Sequence, residues 1–500
     1  MKKILTLTLA ALVFTSNMGY SFCGFYVAKA DIKLFNKTSQ VIIVKNGDKQ
    51  TVTMSSDFEG DVKDFAMVVP VPVVLQEGDI KVADHGLFDK LDTYSSPRLV
   101  EYYDADPCYQ PPVYKPQLRS KKAYCDSYSG SGAPQAEMRE KDYGVTIEAK
   151  YSVGEYDILI LSAKESGGLE QWLLDNDYKM PVGAKEVLDP YIKTNMKFFV
   201  AKVNLENYNA AGAVPLKPLQ ITYESPKFML PIRLGMANSS GVQDLVVYLY
   251  SKVGRIETTN YRTSLIPTDF KVPLFVRGEF GSFYHDLYNK AWEREGKNTV
   301  FLEYGWDVSP NQTQFCDPCV GDPPVVTDLK EAGVDWLELQ STDYHTQAKT
   351  YQGFVYFTRM HLTYDREHFP QDLLFQETAN KERFQGRYIL TNPANGDFSC
   401  EKGQTYIQEL GKRRWNELYT YQWLTGRDIT THYDYPKEYD QYLKAENLSK
   451  KHGSMNPFAD GDAPEHATES QNNMITFFVS MITLAAVMFA LSRRRKIADS

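Results

Sequence analysis

The sequence predicts an α+β protein: a sheet-rich exported portion with several packed helices, followed by a single C-terminal transmembrane helix. Three observations predict this. Short runs rich in β-branched and aromatic residues, bounded by Asn-Gly or proline, have strand character through the first half of the chain. Aromatic and aliphatic residues at helical spacing mark helices, most clearly after residue 280. Met474 to Leu491 (MITFFVSMITLAAVMFAL) is eighteen residues without a charge. As a helix it reaches about 27 Å, which just spans a bilayer core of ~30 Å.

In chain order, Gln40 to Lys45 and Lys49 to Met54 flank Asn46-Gly47, whose positive backbone dihedrals close a tight hairpin. Asp64 to Val69 is a third strand, which Pro70 and Pro72 end or confine to a sheet edge. Strands recur at Val145 to Lys150 and Asp157 to Ala163. Ser166 is suited to cap a helix over Gly167 to Asp175, and a second helix runs from Gly183 to Ile192 before a strand at Met196 to Val203. Asp244 to Ser251 is apolar on both alternating faces, as a strand buried between layers would be. Phe280, Phe283, Tyr284, Leu287, Tyr288, Ala291 and Trp292 share one helical face, expected to pack on a sheet rather than line a groove. Strands follow near Phe354 to Tyr364, Asp372 to Gln376 and Arg387 to Leu390, then a helix from about Gln404 to Leu424 that Gly426 ends.

The ends of the chain set the expected location. Lys2 and Lys3 precede an apolar run from Ile4 to Thr15 and a small-residue site at Gly19 and Ser21, the pattern of a secretory signal over residues 1–21. Arg493, Arg494, Arg495 and Lys496 follow the apolar span at once, so residues 492–500 are expected in the cytoplasm and residues 22–473 outside. Between them lie two α+β regions, 22–265 and 266–445, and a polar linker, 446–473. The chain's formal charge is −9, and without the +2 signal and the +3 tail the exported portion carries −14. Such a charge repels nucleic acid, which is not an expected partner. With 43% hydrophobic and 24% charged residues, collagen, coiled-coil and disordered classes are excluded.

All six cysteines, Cys23, Cys108, Cys125, Cys316, Cys319 and Cys400, fall in the exported portion, where disulfides persist. Cys108 and Cys125 flank a proline- and lysine-rich excursion and are the first pair expected to bond. Cys316-Asp-Pro-Cys319 is a candidate redox pair, but active pairs of this spacing open a helix and Val-Gly-Asp-Pro-Pro follows here, which favours a structural role.

Several strings carry a resemblance: Cys23 to Asp31 (CGFYVAKAD), Val68 to Pro72 (VVPVP), Tyr94 to Tyr102 (YSSPRLVEY), Trp172 to Tyr178 (WLLDNDY) with Pro190-Tyr-Ile, and Arg383 to Tyr388 (RFQGRY). Together they resemble a bacterial family catalogued as domain of unknown function 2330. The resemblance implies an exported bacterial protein and carries over no activity.

Candidate site residues are few. His361, Asp365 and His368 are the nearest histidine–carboxylate grouping, a metal candidate set against the simpler reading of a solvated strand face that carries Arg359, His361, Thr363 and Asp365. No Gly-x-Ser-x-Gly elbow or phosphate loop is present, and no cofactor is called for. Tyrosines cluster at Tyr102, Tyr103, Tyr109 and Tyr114 and again from Tyr419 to Tyr435, as recognition surfaces and sheet faces both do. The expected function is non-catalytic binding of a protein, peptide or glycan. The rival is an extracytoplasmic enzyme, either a thiol oxidoreductase at Cys316 and Cys319 or a carboxylate-based hydrolase.

Overall fold

The structure, a computed structural model, describes residues 25–26, 39–55, 66–108, 145–176, 184–210, 216–237, 241–310, 321–343, 349–395 and 398–436. The signal, the linker, the span from Met474 to Leu491, the basic tail, Tyr109, Tyr114, and Cys23, Cys125, Cys316 and Cys319 lie outside these residues. Among the described residues no helix is long and apolar enough to cross a membrane. They include α-helices α1 (His85–Ser95), α2 (Ser166–Asp175), α3 (Ala184–Lys193), α4 (Leu205–Ala210), α5 (Phe280–Arg294), α6 (Val326–Ala332) and α7 (Glu401–Thr425) beside a larger share of sheet. The α+β expectation holds.

The chain divides into two compact units, one drawn from Met1–Ser96, Arg119–Ile266 and Arg294–Gln385, the other from Pro97–Leu118, Pro267–Glu293 and Gly386–Ser500. Strands Thr299–Asp307 and Tyr356–Tyr364 belong with the first half because they pair, directly and in turn, with Gln243–Ser251 and Ser39–Asn46.

The first unit has two large sheets. One is five-stranded and antiparallel, in the order Phe25–Tyr26, Ala66–Val71, Lys197–Val203, Tyr156–Ala163, Val145–Val153. The other has nine strands, with Gln243–Ser251 at its centre between a parallel neighbour, Ser39–Asn46, and an antiparallel one, Tyr356–Tyr364. The expected hairpin is present, with Gly47 at φ +60° in its turn. Pro70 sits inside its strand rather than after it. Phe25–Tyr26 pairs with Met67 and Val68, and Pro70 pairs with Phe198 of Lys197–Val203.

Strand alternation builds three apolar layers. Val41, Ile43, Leu245, Val247, Met360 and Leu362 from the larger sheet meet Met67, Val69, Ile158, Ile160 and Phe199 from the smaller one. The smaller sheet's other face, with Val68, Leu161 and Val200, is covered by Leu169, Trp172 and Leu173 of α2 and Leu188 and Tyr191 of α3. The larger sheet's other face, with Ile42, Tyr248, Tyr304 and Phe357, is covered by Leu87, Phe88, Leu91 and Tyr94 of α1 and Leu329 of α6. Helix, sheet, sheet and helix thus stack as four layers, which is why Gln243–Ser251 is buried on both faces. Ser166 does not cap α2: Glu165 holds that position and the Ser166 hydroxyl donates to Asp189 on α3 at 3.1 Å.

The second unit holds a parallel sheet, Phe270–Lys271, Arg387–Asn392 and Arg98–Tyr103, with α5 and α7. The α5 stripe is core, as expected: Phe283 meets Tyr388 edge-on at 5.2 Å and stacks at 5.9 Å on Tyr421 of α7. Cys400 caps α7, its sulfur accepting the Gly403 N–H at 3.2 Å, and Gly426 ends it at φ +70°. Cys108 is bonded to Cys400, not to Cys125, with the Cα atoms 5.9 Å apart. The reason is topological. Tyr103 and Asn392 are neighbours on parallel strands, so both strands leave the sheet at the same end and carry the two cysteines together.

Candidate functional site

The expected metal residues do not converge. Strand Tyr356–Tyr364 ends before Asp365, which turns away and accepts the backbone N–H groups of Glu367 and His368. The His368 ring lies 2.8 Å from the same carboxylate. His361 lies instead between two other acids, its Nδ1 2.7 Å from Glu303 and its Nε2 3.0 Å from Asp244. Burial opposes its positive charge, but Asp244 and Glu303 outweigh that and raise its pKa to about 10. A cationic imidazole donates from both nitrogens and has no lone pair for a metal.

The face around His361 is not solvated either. Arg359 is 5% exposed, Thr363 6% and Glu303 fully buried, because α1 covers this part of the sheet. Arg359 donates to Glu303 at 2.6 Å and to Asp92 of α1 at 2.7 Å, and its guanidinium lies 5.4 Å from the centre of the Tyr248 ring. Tyr248 and Thr363 donate to Asp92 and Asp244 at 3.1 and 2.7 Å. The result is a chain of alternating charge, Asp92, Arg359, Glu303, His361, Asp244, that ties three strands to one helix. Although desolvation opposes it, Arg359 holds Asp92 below the usual carboxylate range and His361 does the same for Asp244. Every polar atom of His361 and Glu303 is engaged, so the arrangement stabilises and offers no free base. Sequence reasoning missed Glu303, the only charge in an otherwise apolar strand up to Trp306.

A second arrangement is open to ligand. Where strand Ala66–Val71, the turn after α3 and the segment that follows strand Leu219–Glu224 come together, a cavity of about 120 Å³ is lined by Pro70, Pro72, Thr194, Met196, Tyr223, Ser225, Lys227, Met229 and Pro231. Met196, Met229, Pro70 and Pro231 are buried and Thr194 and Lys227 are exposed, so the lining is apolar within and polar at the rim. The rim is held from behind: the Gln50 amide, fully buried, donates to the Ser225 and Lys227 carbonyls, both at 3.0 Å. Lys45, 6% exposed, adds a contact to the Ser225 carbonyl at 3.4 Å. Burial pushes its ammonium pKa down against the pull of Asp48 and Glu377.

The tyrosine clusters divide. Tyr103 is 74% exposed and Tyr102 38%, while Tyr419 and Tyr421 are buried in the second unit.

The family described as "Uncharacterized protein conserved in bacteria (DUF2330)" matches residues 18–376. The chain belongs to that family. The match covers every residue of the DUF2330 pocket and charge network and stops short of Arg383 to Tyr388 and of Cys400. No curated protein matches this DUF2330 chain, and no solved structure does.

Proposed function

We propose that this DUF2330 protein is a membrane-tethered extracytoplasmic binding protein that seats an apolar group of a protein or peptide partner in the small pocket of its first unit. The pocket carries this reading. Its volume of about 120 Å³ is smaller than the ~150 Å³ apolar cavity that admits benzene and well below the ~300–1,000 Å³ of a small-molecule site, so it suits one side chain. A glycan ring, larger and ringed with hydroxyls, fits that size and lining poorly. Proline, methionine, tyrosine, threonine, serine and lysine line it, more apolar than polar in its buried part. The Cys108–Cys400 bond supports an oxidising compartment, and the signal pattern and the span from Met474 to Leu491 support export with a retained anchor.

A phosphatase reporter fused after Ser500 tests the topology. It is expected to stay inactive in the cytoplasm while protease added outside the inner membrane digests the folded portion. Phosphatase activity outside the cytoplasm would contradict the anchor's orientation.

A further inference from the structure

We infer that this pocket recognises the C-terminus of a polypeptide that ends in an apolar residue, the last side chain entering the cavity and the terminal carboxylate meeting Lys227 and Tyr223. This rests on the binding reading above and names its ligand. A space of about 120 Å³ accepts one side chain, so the rest of the ligand must lie at the rim. Lys227 is the only charged residue of the lining, it is exposed, and its ammonium has no ion pair among the described residues. The Tyr223 hydroxyl has no hydrogen-bond partner among the described residues, and burial pushes its pKa well up, so it stays a donor. Strand alternation sends Glu224 to the opposite face, so no acid on that strand competes for the two donors. Gln50 and Lys45 hold the backbone from Ser225 to Lys227, and Tyr223 is held in its strand opposite Gln50.

Two features select a terminus over an internal segment. Pro70, Pro72 and Pro231 present no N–H, so a peptide continuing across this wall would leave its own carbonyls without donors. In a terminal residue the side chain and the carboxylate hang from one Cα, which matches a cavity with its cation at the mouth. The −14 of the exported portion disfavours a long acidic segment and leaves recognition of one carboxylate to local contacts.

The test uses the full chain in detergent micelles and a fluorescent pentapeptide, Gly-Gly-Ser-Ala-Leu, with a free or an amidated C-terminus. The free acid is expected to bind at least about tenfold more tightly than the amide, the worth of one charge-assisted hydrogen bond. Lys227→Ala is expected to remove that difference without weakening the amide, and Lys227→Arg to restore part of it. Equal binding of acid and amide overturns the carboxylate assignment and leaves the pocket reading standing. Binding of neither overturns both. N-acetyl-leucine competing as tightly as the peptide overturns the assignment to a polypeptide end in favour of a free small carboxylate.

Discussion

Replacing Arg359 with methionine is expected to destabilise the first unit by about 3–5 kcal/mol, because it removes one partner of a buried pair and keeps the other. Glu303 would remain fully buried without its guanidinium partner, and Asp92 would lose its guanidinium contact. Hydrogen exchange in strand Tyr356–Tyr364 as urea is raised measures the change. Adding Glu303→Leu to Arg359→Met is expected to recover part of the loss, since an apolar pair suits this layer of Tyr248, Tyr304 and Phe357. A variant with unchanged stability would show that α1 alone holds this face. The pH profile follows from the same contacts. The His361 pKa is raised from 6.5 to about 10 in the folded state, so its contribution is full below about 6.5 and fades as pH climbs through about 10. Asp92 and Asp244 are shifted down, so their contributions are present above the ordinary carboxylate range and fade as pH falls below it. The wild type is expected to have a stability plateau between these limits, and in Arg359→Met the acid-side loss due to Asp92 is expected to shrink, because the guanidinium that depresses its pKa is gone.

Cys108→Ser and Cys400→Ser should each cost the second unit about 2–5 kcal/mol, because the bond joins residues 292 positions apart and restrains a long stretch of the unfolded chain. The two variants separate the bond from the cap. Serine is a strong N-cap, so Cys400→Ser keeps the acceptor for the Gly403 N–H while breaking the bond. Equal losses in thermal midpoint would assign the effect to the cross-link. A loss confined to Cys400→Ser would place it in the start of α7.

Features that a short stretch of sequence determines were legible. The Asn46-Gly47 turn requires positive dihedrals, the α5 stripe repeats on one face, and Gly426 ends α7, so each could be read without its neighbours. Helix α1 escaped notice although Asp84 accepts the Gly86 N–H at 2.7 Å and Leu87, Phe88, Leu91 and Tyr94 share a face. The misreadings share a physical cause: alternation says which residues share a face and nothing of what covers it. Alternation alone puts His361 on a solvated face, because its partners stand 58 and 117 positions away, on strands whose neighbourhood is set by topology. The disulfide was misassigned for a related reason, since a bridge across a local loop was favoured over one between the exits of parallel strands. The pocket draws on the Pro70–Pro72 run, the turn before Lys197–Val203 and the residues after Thr222. Only the tertiary fold gives those prolines and methionines a shared role.

Methyl spectra of the full chain in lipid nanodiscs, with its methionines isotope-labelled, test the central claim most directly. On titration with the leucine-ended free-acid peptide, Met196 and Met229 are expected to shift together along one saturating curve while Met360, buried in the core between the sheets, stays still. Saturable binding that leaves Met196 and Met229 unmoved would contradict the claim that this pocket is where the protein meets its partner.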